Sequence, residues 1–185
     1  GGHCGPAAKS MDGGLTWQRI DDLLPKDYQT KHRNCPTLQR IIAPDGKARL
    51  MIFSNTGGGV GRVVSEDNGA TWETLPTVLV PRVAMPFTGF MPLKDGRVAV
   101  FGQQRSDPAV ETDRPQDDQG IIMLTSPDGG LTWSTPRLIA SFPEKNLCEP
   151  FALRSDDGKE ICVLMRENRH KGNSMMCFRD RKSVV

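Results

Sequence analysis

Residues 65–72 read Ser-Glu-Asp-Asn-Gly-Ala-Thr-Trp, and their pattern, Ser-x-Asp-x-Gly-x-Thr-Trp, occurs three times in the chain. We call the copies box 1 (residues 10–17), box 2 (residues 65–72) and box 3 (residues 126–133). The chain has three tryptophans, and each of them closes one box. Because a rare residue is confined to one motif, we interpret the boxes as an internal repeat that determines the architecture of the chain.

Each box has the composition of a tight turn that leads into a strand. The Asp side chain can accept hydrogen bonds from backbone N–H groups two residues further on, and Gly adopts φ > 0 at no steric cost. Thr and Trp favour the start of a strand, where the large Trp ring is expected to anchor the turn against its neighbour. The boxes are therefore predicted to be structural. Their repeated positions are Ser10, Asp12, Gly14, Thr16 and Trp17; Ser65, Asp67, Gly69, Thr71 and Trp72; and Ser126, Asp128, Gly130, Thr132 and Trp133.

A second repeat lies out of phase with the boxes. Three Asp-Gly pairs predict two-residue turns between apolar runs. Each turn is followed by one predicted strand, and another strand leads to each box or to the place where a fourth box is expected. The turns are at residues 45–46, 95–96 and 157–158, the strands after them at 50–53, 98–101 and 161–165, and the strands before the boxes at 60–64, 121–125 and 174–178.

The repeated unit is therefore strand, Asp-Gly turn, strand, loop, strand, box, strand. Four antiparallel strands that recur at this spacing predict an all-β fold, a β-propeller built of four-stranded blades. The aspartates of successive boxes are 55 and 61 residues apart, which leaves room for one blade each. We expect a single partial propeller domain over residues 1–185, about half of the ring. Its parts are a blade tail (1–30), two blades (31–80 and 81–140) and an incomplete blade (141–185).

The composition excludes several classes of function. Lys and Arg total 24 and Asp and Glu total 22, so the chain lacks the basic excess of a nucleic-acid-binding protein. No apolar run approaches the roughly 20 residues of a membrane-spanning helix. The five cysteines form no Cys-x-x-Cys pair, and a metal site built of His3, Cys4, His32 and Cys35 has spacing unlike known zinc modules. We predict neither a metal nor a cofactor.

The boxes resemble the Asp-box (BNR) repeats of the sialidase (neuraminidase) superfamily, whose members are six-bladed β-propellers. The resemblance implies exo-hydrolysis of terminal sialic acid from glycoconjugates, and it favours a secreted or periplasmic protein. The chain begins without Met and without a leader, so a processed product or a piece of a longer chain is expected. Alternatives are another Asp-box glycosidase with a non-sialic substrate, or a non-catalytic propeller that binds carbohydrate or protein.

A more specific match lies in residues 146–151 and 163–168, which resemble a hairpin of the sialidases. In that family the first strand carries a Glu that activates the nucleophile, and the second carries one Arg of a triad that binds the sialic acid carboxylate. Glu149 and Arg166 match these positions. The family uses a Tyr nucleophile because the substrate carboxylate, on the reacting carbon, would repel a carboxylate nucleophile. Such a Tyr needs a neighbouring base.

The turn geometry also relates these two residues. Glu149 and Arg166 are equally far from the centre of the turn at residues 157–158, so an antiparallel hairpin would place them directly opposite each other. An exposed cross-strand ion pair without catalytic role is the alternative. Further substrate contacts are predicted at the same end of the sheets, from Arg33, Gln104 and Arg105.

The chain also departs from the family pattern. Its one tyrosine, Tyr28, lies near box 1 and not in a late blade, and the Arg-Ile-Pro motif with the first triad arginine is absent. We therefore expect the chain to be inactive alone. Half a ring would leave two apolar sheet faces open, which predicts self-association. The carboxylates Asp107, Glu111, Asp113, Asp117 and Asp118 are predicted to lie in an irregular surface loop.

Overall fold

The structure is a computed structural model that describes residues 4–105, 118–142, 144–169 and 175–179. Within these residues, antiparallel strands form four sheets and helix is confined to two short segments. Neither helix is long and apolar enough to cross a membrane. The strands are β1 (Ala8–Lys9), β2 (Gln18–Arg19), β3 (Arg33–Ile42), β4 (Ala48–Asn55), β5 (Val60–Ser65), β6 (Glu73–Val78), β7 (Val83–Pro92), β8 (Val98–Arg105), β9 (Gln119–Ser126), β10 (Arg137–Ala140), β11 (Leu147–Arg154), β12 (Ile161–Glu167) and β13 (Met175–Arg179); a 3₁₀ helix spans Asp21–Leu23 and α1 spans Tyr28–Lys31.

The sheets follow one another along the chain as simple meanders. Strands β3 to β6 form one four-stranded sheet, β7 to β10 form the next, and β11 to β13 form a three-stranded sheet; β1 and β2 pair ahead of them. The first strand of each sheet packs beside the first strand of the next, β3 on β7 and β7 on β11. The prediction of an all-β chain with four-stranded antiparallel blades, about half a propeller, is confirmed.

The Asp-Gly turns are longer than predicted. The Gly46 N–H donates to the Ala43 carbonyl at 2.9 Å, and the Ala43 N–H donates to the Lys47 carbonyl at 2.8 Å. Three residues therefore lie between the closing pair, not two. A type I turn followed by a left-handed residue matches the twist of the strands, and Gly46 takes that place with φ of +82°. The turn at Gly158 is longer still, because the Ser155 N–H reaches the Glu160 carbonyl.

The three boxes share one hydrogen-bond network. The Ser hydroxyl donates to one Asp oxygen at 2.8 Å and accepts the Gly N–H at 2.7 Å. The Thr N–H and hydroxyl donate to the two Asp oxygens, and through Thr16 these bonds lower the pKa of Asp12 to about 2. Because the turn uses the Thr donors, the strands do not begin at Thr-Trp as predicted. β6 begins one residue after Trp72, and β10 four residues after Trp133.

Box 3 is held by the preceding sheet. The buried Arg62 guanidinium donates through Nη1 to the carbonyl oxygens of Gly130 and Leu131 at 2.6 and 2.8 Å. Arg49 donates through Nη1 to the Asp128 carbonyl at 2.9 Å. Within box 3 the Trp133 indole N–H also donates to the Gly130 carbonyl at 3.1 Å, and the arginines of the neighbouring blade add donors to this and two further carbonyl groups of the turn.

The tryptophans of the boxes differ in burial. Trp133 is half-buried and packs against the core between two sheets, with its ring centroid 6.0 Å from those of Phe53 and Phe87. Trp72 is also half-buried against a core cluster, whereas Trp17 is 66% exposed. The prediction that every Trp anchors its turn is therefore wrong for Trp17, because among the described residues no earlier sheet lies beside box 1.

Two sheet faces remain open. On β3, Leu38 and Ile42 are exposed, while Ile41 between them joins the core. On β11, Phe151 and Leu153 are exposed, while Ala152 between them joins the core. These apolar side chains stand where further blades of a ring would pack. Self-association through these faces stays a prediction.

Candidate functional site

The site lies at one end of the sheets. β3, β7 and β11 begin there, and β4, β8 and β12 end there, opposite the boxes and the Asp-Gly turns. We call this end the mouth. Glu149 and Arg166 meet at the mouth, where Glu149 Oε2 lies 3.0 Å from Arg166 Nη1. Both side chains are nearly half exposed, at 44% and 49%, so a ligand can reach the pair.

The pairing of Glu149 differs from the prediction by one residue. From Phe151 onward β11 and β12 keep the predicted register, with Phe151 opposite Leu164. Nearer the mouth the register shifts, and Cys148 is opposite Arg166. The shift is a bulge, because Pro150 has no N–H for the ladder and Glu149 adopts φ of +52°. Glu149 and Arg166 are therefore not directly opposed, although their side chains still form an ion pair.

The sequence contains a signal for this bulge. The first strand of each blade pairs irregularly near the mouth, and each irregular stretch contains a proline. A proline inside a strand indicates a bulge or an edge. The three prolines are Pro36, Pro86 and Pro150, and the residue before the first, Cys35, is also left-handed, with φ of +34°. The prediction that Glu149 and Arg166 are directly opposed did not include this third repeat.

The Arg166 guanidinium is oriented by groups on both sides. Its Nη2 donates to Asn168 Oδ1 at 2.9 Å, and its Nη1 faces Glu149. The Cys148 side chain is the main cause that raises the pKa of Arg166, with the Glu149 charge adding to it, and the Cys148 thiol donates to the Arg166 carbonyl at 3.6 Å. Burial raises the pKa of the Cys148 thiol. The site therefore presents a permanent, partly open guanidinium cation.

The other predicted contact residues lie at the mouth but do not join this pair. Gln104 donates through Nε2 to the Pro81 carbonyl at 2.7 Å. Arg33 at the start of β3 and Arg105 at the end of β8 are both exposed. Within the described part of the chain, no hydrogen bond or ion pair connects these three side chains to Glu149 or Arg166. The three arginines that were predicted as substrate contacts, Arg33, Arg105 and Arg166, therefore lie at the mouth in three different sheets.

A buried ion pair near the mouth corrects another expectation. Asp118 is fully buried, and its Oδ1 accepts a hydrogen bond from Arg169 Nη2. Asp118 is therefore not part of a solvated loop, because it directly precedes β9 and lies against the end of β12. Its Oδ2 finds no hydrogen-bond partner among the described residues. The other predicted loop carboxylates, at positions 107, 111, 113 and 117, lie outside them.

Tyr28 belongs to the core and not to the mouth pair. It is buried and stacks on the buried His32, with ring centroids 4.8 Å apart. His32 contacts the Ser54 hydroxyl through Nδ1. Residues 4–105, 118–142, 144–169 and 175–179 contain no group of three or more His, Cys, Asp or Glu that could hold a metal. Of the metal quartet considered above, His3 lies outside these residues.

We predict that His32 makes stability fall on acidification. Burial lowers its pKa below the ordinary value, with a smaller opposing effect from Asp27. In the unfolded chain His32 binds a proton near pH 6.5, whereas in the folded chain it stays neutral until a lower pH. The free energy of unfolding therefore decreases as the pH falls from about 6.5 through the folded pKa. Melting temperatures between pH 7.5 and 5.5 should show this slope, and His32→Gln should reduce it. An equal slope in both proteins would contradict the prediction.

The chain was compared with known proteins. No protein-family model matches it, and no curated protein sequence matches it. An α-L-arabinofuranosidase from Fusarium graminearum superimposes with a TM-score of 0.64 at 18% identity, over 94% of this chain and 52% of its own. A point mutant of the NanB sialidase from Streptococcus pneumoniae gives 0.58 at 18% identity, over 95% and 28%. A Hadza microbial sialidase gives 0.55 at 16% identity, over 92% and 40%.

The similarity shows the fold, part of a β-propeller, which these glycosidases also have. The chain spans about half or less of the length of these three structures. At such identities the similarity concerns the fold, and function has to be argued from the residues of the site. The two kinds of neighbour differ in the substrate that their names give, sialic acid in one case and arabinofuranose in the other.

Proposed function

We propose that the chain is part of a sialidase-like exo-glycosidase that releases terminal sialic acid. The observation that carries the proposal is the half-exposed pair of Glu149 and Arg166 at the mouth. A glycosidase that acts on sialic acid needs a cation for the substrate carboxylate and a base for its nucleophile. The pair offers one of each within 3.0 Å.

Arg166 suits recognition of a carboxylate. A planar guanidinium can donate two parallel hydrogen bonds to the two oxygens of one carboxylate, which a lysine cannot do. Asn168 binds Nη2 and Glu149 faces Nη1, so the plane of the guanidinium is already oriented in the free protein. An oriented donor loses less conformational freedom when the ligand binds.

Glu149 is proposed as the base that activates the nucleophile. Tyr28 is buried with His32, so the nucleophile would be supplied by another part of the complete ring. A phenol becomes nucleophilic when a neighbouring carboxylate removes its proton, and the proton then resides on Glu149. Without a base the tyrosine stays protonated at neutral pH.

The arginines of the mouth favour an anionic sugar over a neutral one. Arg33, Arg105 and Arg166 come from three successive blades, and the first two are exposed. Such a distribution would attract a charged ligand toward the mouth and raise its rate of encounter. A neutral arabinofuranoside would gain nothing from it.

The proposal is tested by hydrolysis in the protein that carries the complete ring. Matched fluorogenic glycosides of sialic acid and of arabinofuranose are compared by kcat/KM. We expect release from the sialoside and little from the arabinofuranoside. Preference for the arabinofuranoside would support a glycosidase with a non-sialic substrate. Binding of sialylated glycans without release of either leaving group would support a non-catalytic propeller.

A further inference from the structure

The backbone of Glu149 is held by a side chain of the neighbouring sheet. Gln103 on β8 is buried, and its Oε1 accepts the Glu149 N–H at 2.6 Å. Its Nε2 donates to Gln119 Oε1 at 2.8 Å, which fixes the amide so that its oxygen faces Glu149. The bulge at Glu149 thus has a dedicated acceptor in another blade.

The next residue along β11 is held from the same sheet. The Thr88 hydroxyl on β7 donates to the Pro150 carbonyl at 2.9 Å. Beside it, a Cβ at Gly89 would lie 2.9 Å from that carbonyl oxygen and 3.1 Å from Phe101 Cβ. The absence of a side chain at Gly89 allows the close approach of the two strands. One N–H and one C=O on either side of the bulge are therefore fixed from outside.

We propose that Gln103 and Thr88 are positioning residues for Glu149, and that they set the direction of its carboxylate across a blade interface. The inference rests on the function proposed above. A non-glycine residue with φ of +52° is strained, and such strain persists only where the surroundings hold the backbone. Without these two bonds Glu149 relaxes toward extended backbone, and its side chain leaves the direction that meets Arg166.

The chain offers a matched control for this proposal. At the preceding blade interface, the Thr37 hydroxyl donates to the Phe87 carbonyl at 2.8 Å. Thr37→Val and Thr88→Val therefore remove the same kind of bond between first strands of successive blades. They differ in that only Thr88 holds the strand segment that carries Glu149. If Thr88 only helped to hold the blades together, Thr37→Val and Thr88→Val should have similar effects on kcat.

The first measurement is amide hydrogen exchange of Glu149 in the 185-residue chain. Gln103→Leu should accelerate exchange at Glu149 about five- to tenfold, because the N–H loses its acceptor. Thr37→Val should leave exchange at Glu149 unchanged. Unaltered exchange in Gln103→Leu would overturn the inference, whatever the activity of the protein.

The second measurement is sialoside hydrolysis in the protein that carries the complete ring. Gln103→Leu and Thr88→Val should lower kcat about 10- to 100-fold with KM little changed, because a misplaced base affects chemistry more than binding. Thr37→Val should stay within about twofold of the wild type, with a melting temperature matched to Thr88→Val. Wild-type kcat in Gln103→Leu and Thr88→Val, alongside an inactive Glu149→Gln, would overturn the inference alone. Wild-type turnover in Glu149→Gln would overturn the proposed function itself.

Discussion

Glu149→Gln should lower kcat by roughly 10²–10⁴-fold while the melting temperature stays close to that of the wild type. The substitution keeps the shape of the side chain and removes its ability to take a proton, so the nucleophile is no longer activated. The fold should tolerate it, because the carboxylate is nearly half exposed and its ion pair with Arg166 lies in solvent. The measurement is release of a fluorogenic leaving group from a sialoside by the complete ring.

Glu66→Gln is the matched control for this variant. Glu66 also forms an ion pair with an arginine, Arg49, at 2.6 Å, and its side chain is 45% exposed against 44% for Glu149. It lies in box 2, on the end of the sheets opposite the mouth. Glu66→Gln should leave turnover unchanged. Equal turnover in the two variants and the wild type would show that the Glu149 pair is an ordinary surface ion pair.

Arg62→Met should be the most destabilising substitution of a side chain outside the apolar core. Nε and Nη2 donate to the Pro76 carbonyl, and Nη1 donates to the carbonyl oxygens of Gly130 and Leu131. Methionine fills much of the volume but removes all four of these hydrogen bonds and leaves the Gly130 carbonyl only its bond from the Trp133 indole, at a cost of about 3–5 kcal/mol in the free energy of unfolding. For a chain of this size the melting temperature should fall by roughly 6–20 °C.

Arg97→Met serves as the comparison. Arg97 pairs with Asp95 at the edge of an Asp-Gly turn, and its side chain is 36% exposed. Its loss should change the free energy of unfolding by less than about 1 kcal/mol. Similar melting temperatures for Arg62→Met and Arg97→Met would show that Arg62 does not hold box 3 to the preceding sheet.

The repeat of turns and boxes predicted the fold because each turn depends only on residues close to it in the sequence. Asp, Gly and Thr at fixed spacing determine each turn by short-range hydrogen bonds, and the tryptophans mark the period. The order of the strands was predicted in this way, although the strands after the boxes begin later than predicted. The burial of each Trp could not be predicted in this way, because it depends on which sheet lies beside the box. Trp17 and Trp133 both end the run Asp-Gly-Gly-Leu-Thr-Trp, but they have different surroundings.

The candidate site was predicted only in part. The pairing of Glu149 with Arg166 was visible in the spacing, although the register was one residue off because the proline after Glu149 was not read as a bulge. Gln103 is 46 residues away along the chain from Glu149, and their hydrogen bond exists only through the packing of two blades. Asp118 and Arg169 are 51 residues apart and meet in the same way. Contacts of this kind have no local signal in a single sequence.

The most direct test of the account is whether Arg166 recognises the substrate carboxylate. We would measure kcat/KM of the complete ring for a fluorogenic sialoside and for its methyl ester, in the wild type and in Arg166→Lys. The wild type should strongly prefer the free acid over the ester. Arg166→Lys should lose most of the activity on the acid, because lysine keeps the charge but not the bidentate geometry. It should lose little of the weak activity on the ester. Equal activity of the wild type on acid and ester, or an unchanged preference in Arg166→Lys, would contradict the account.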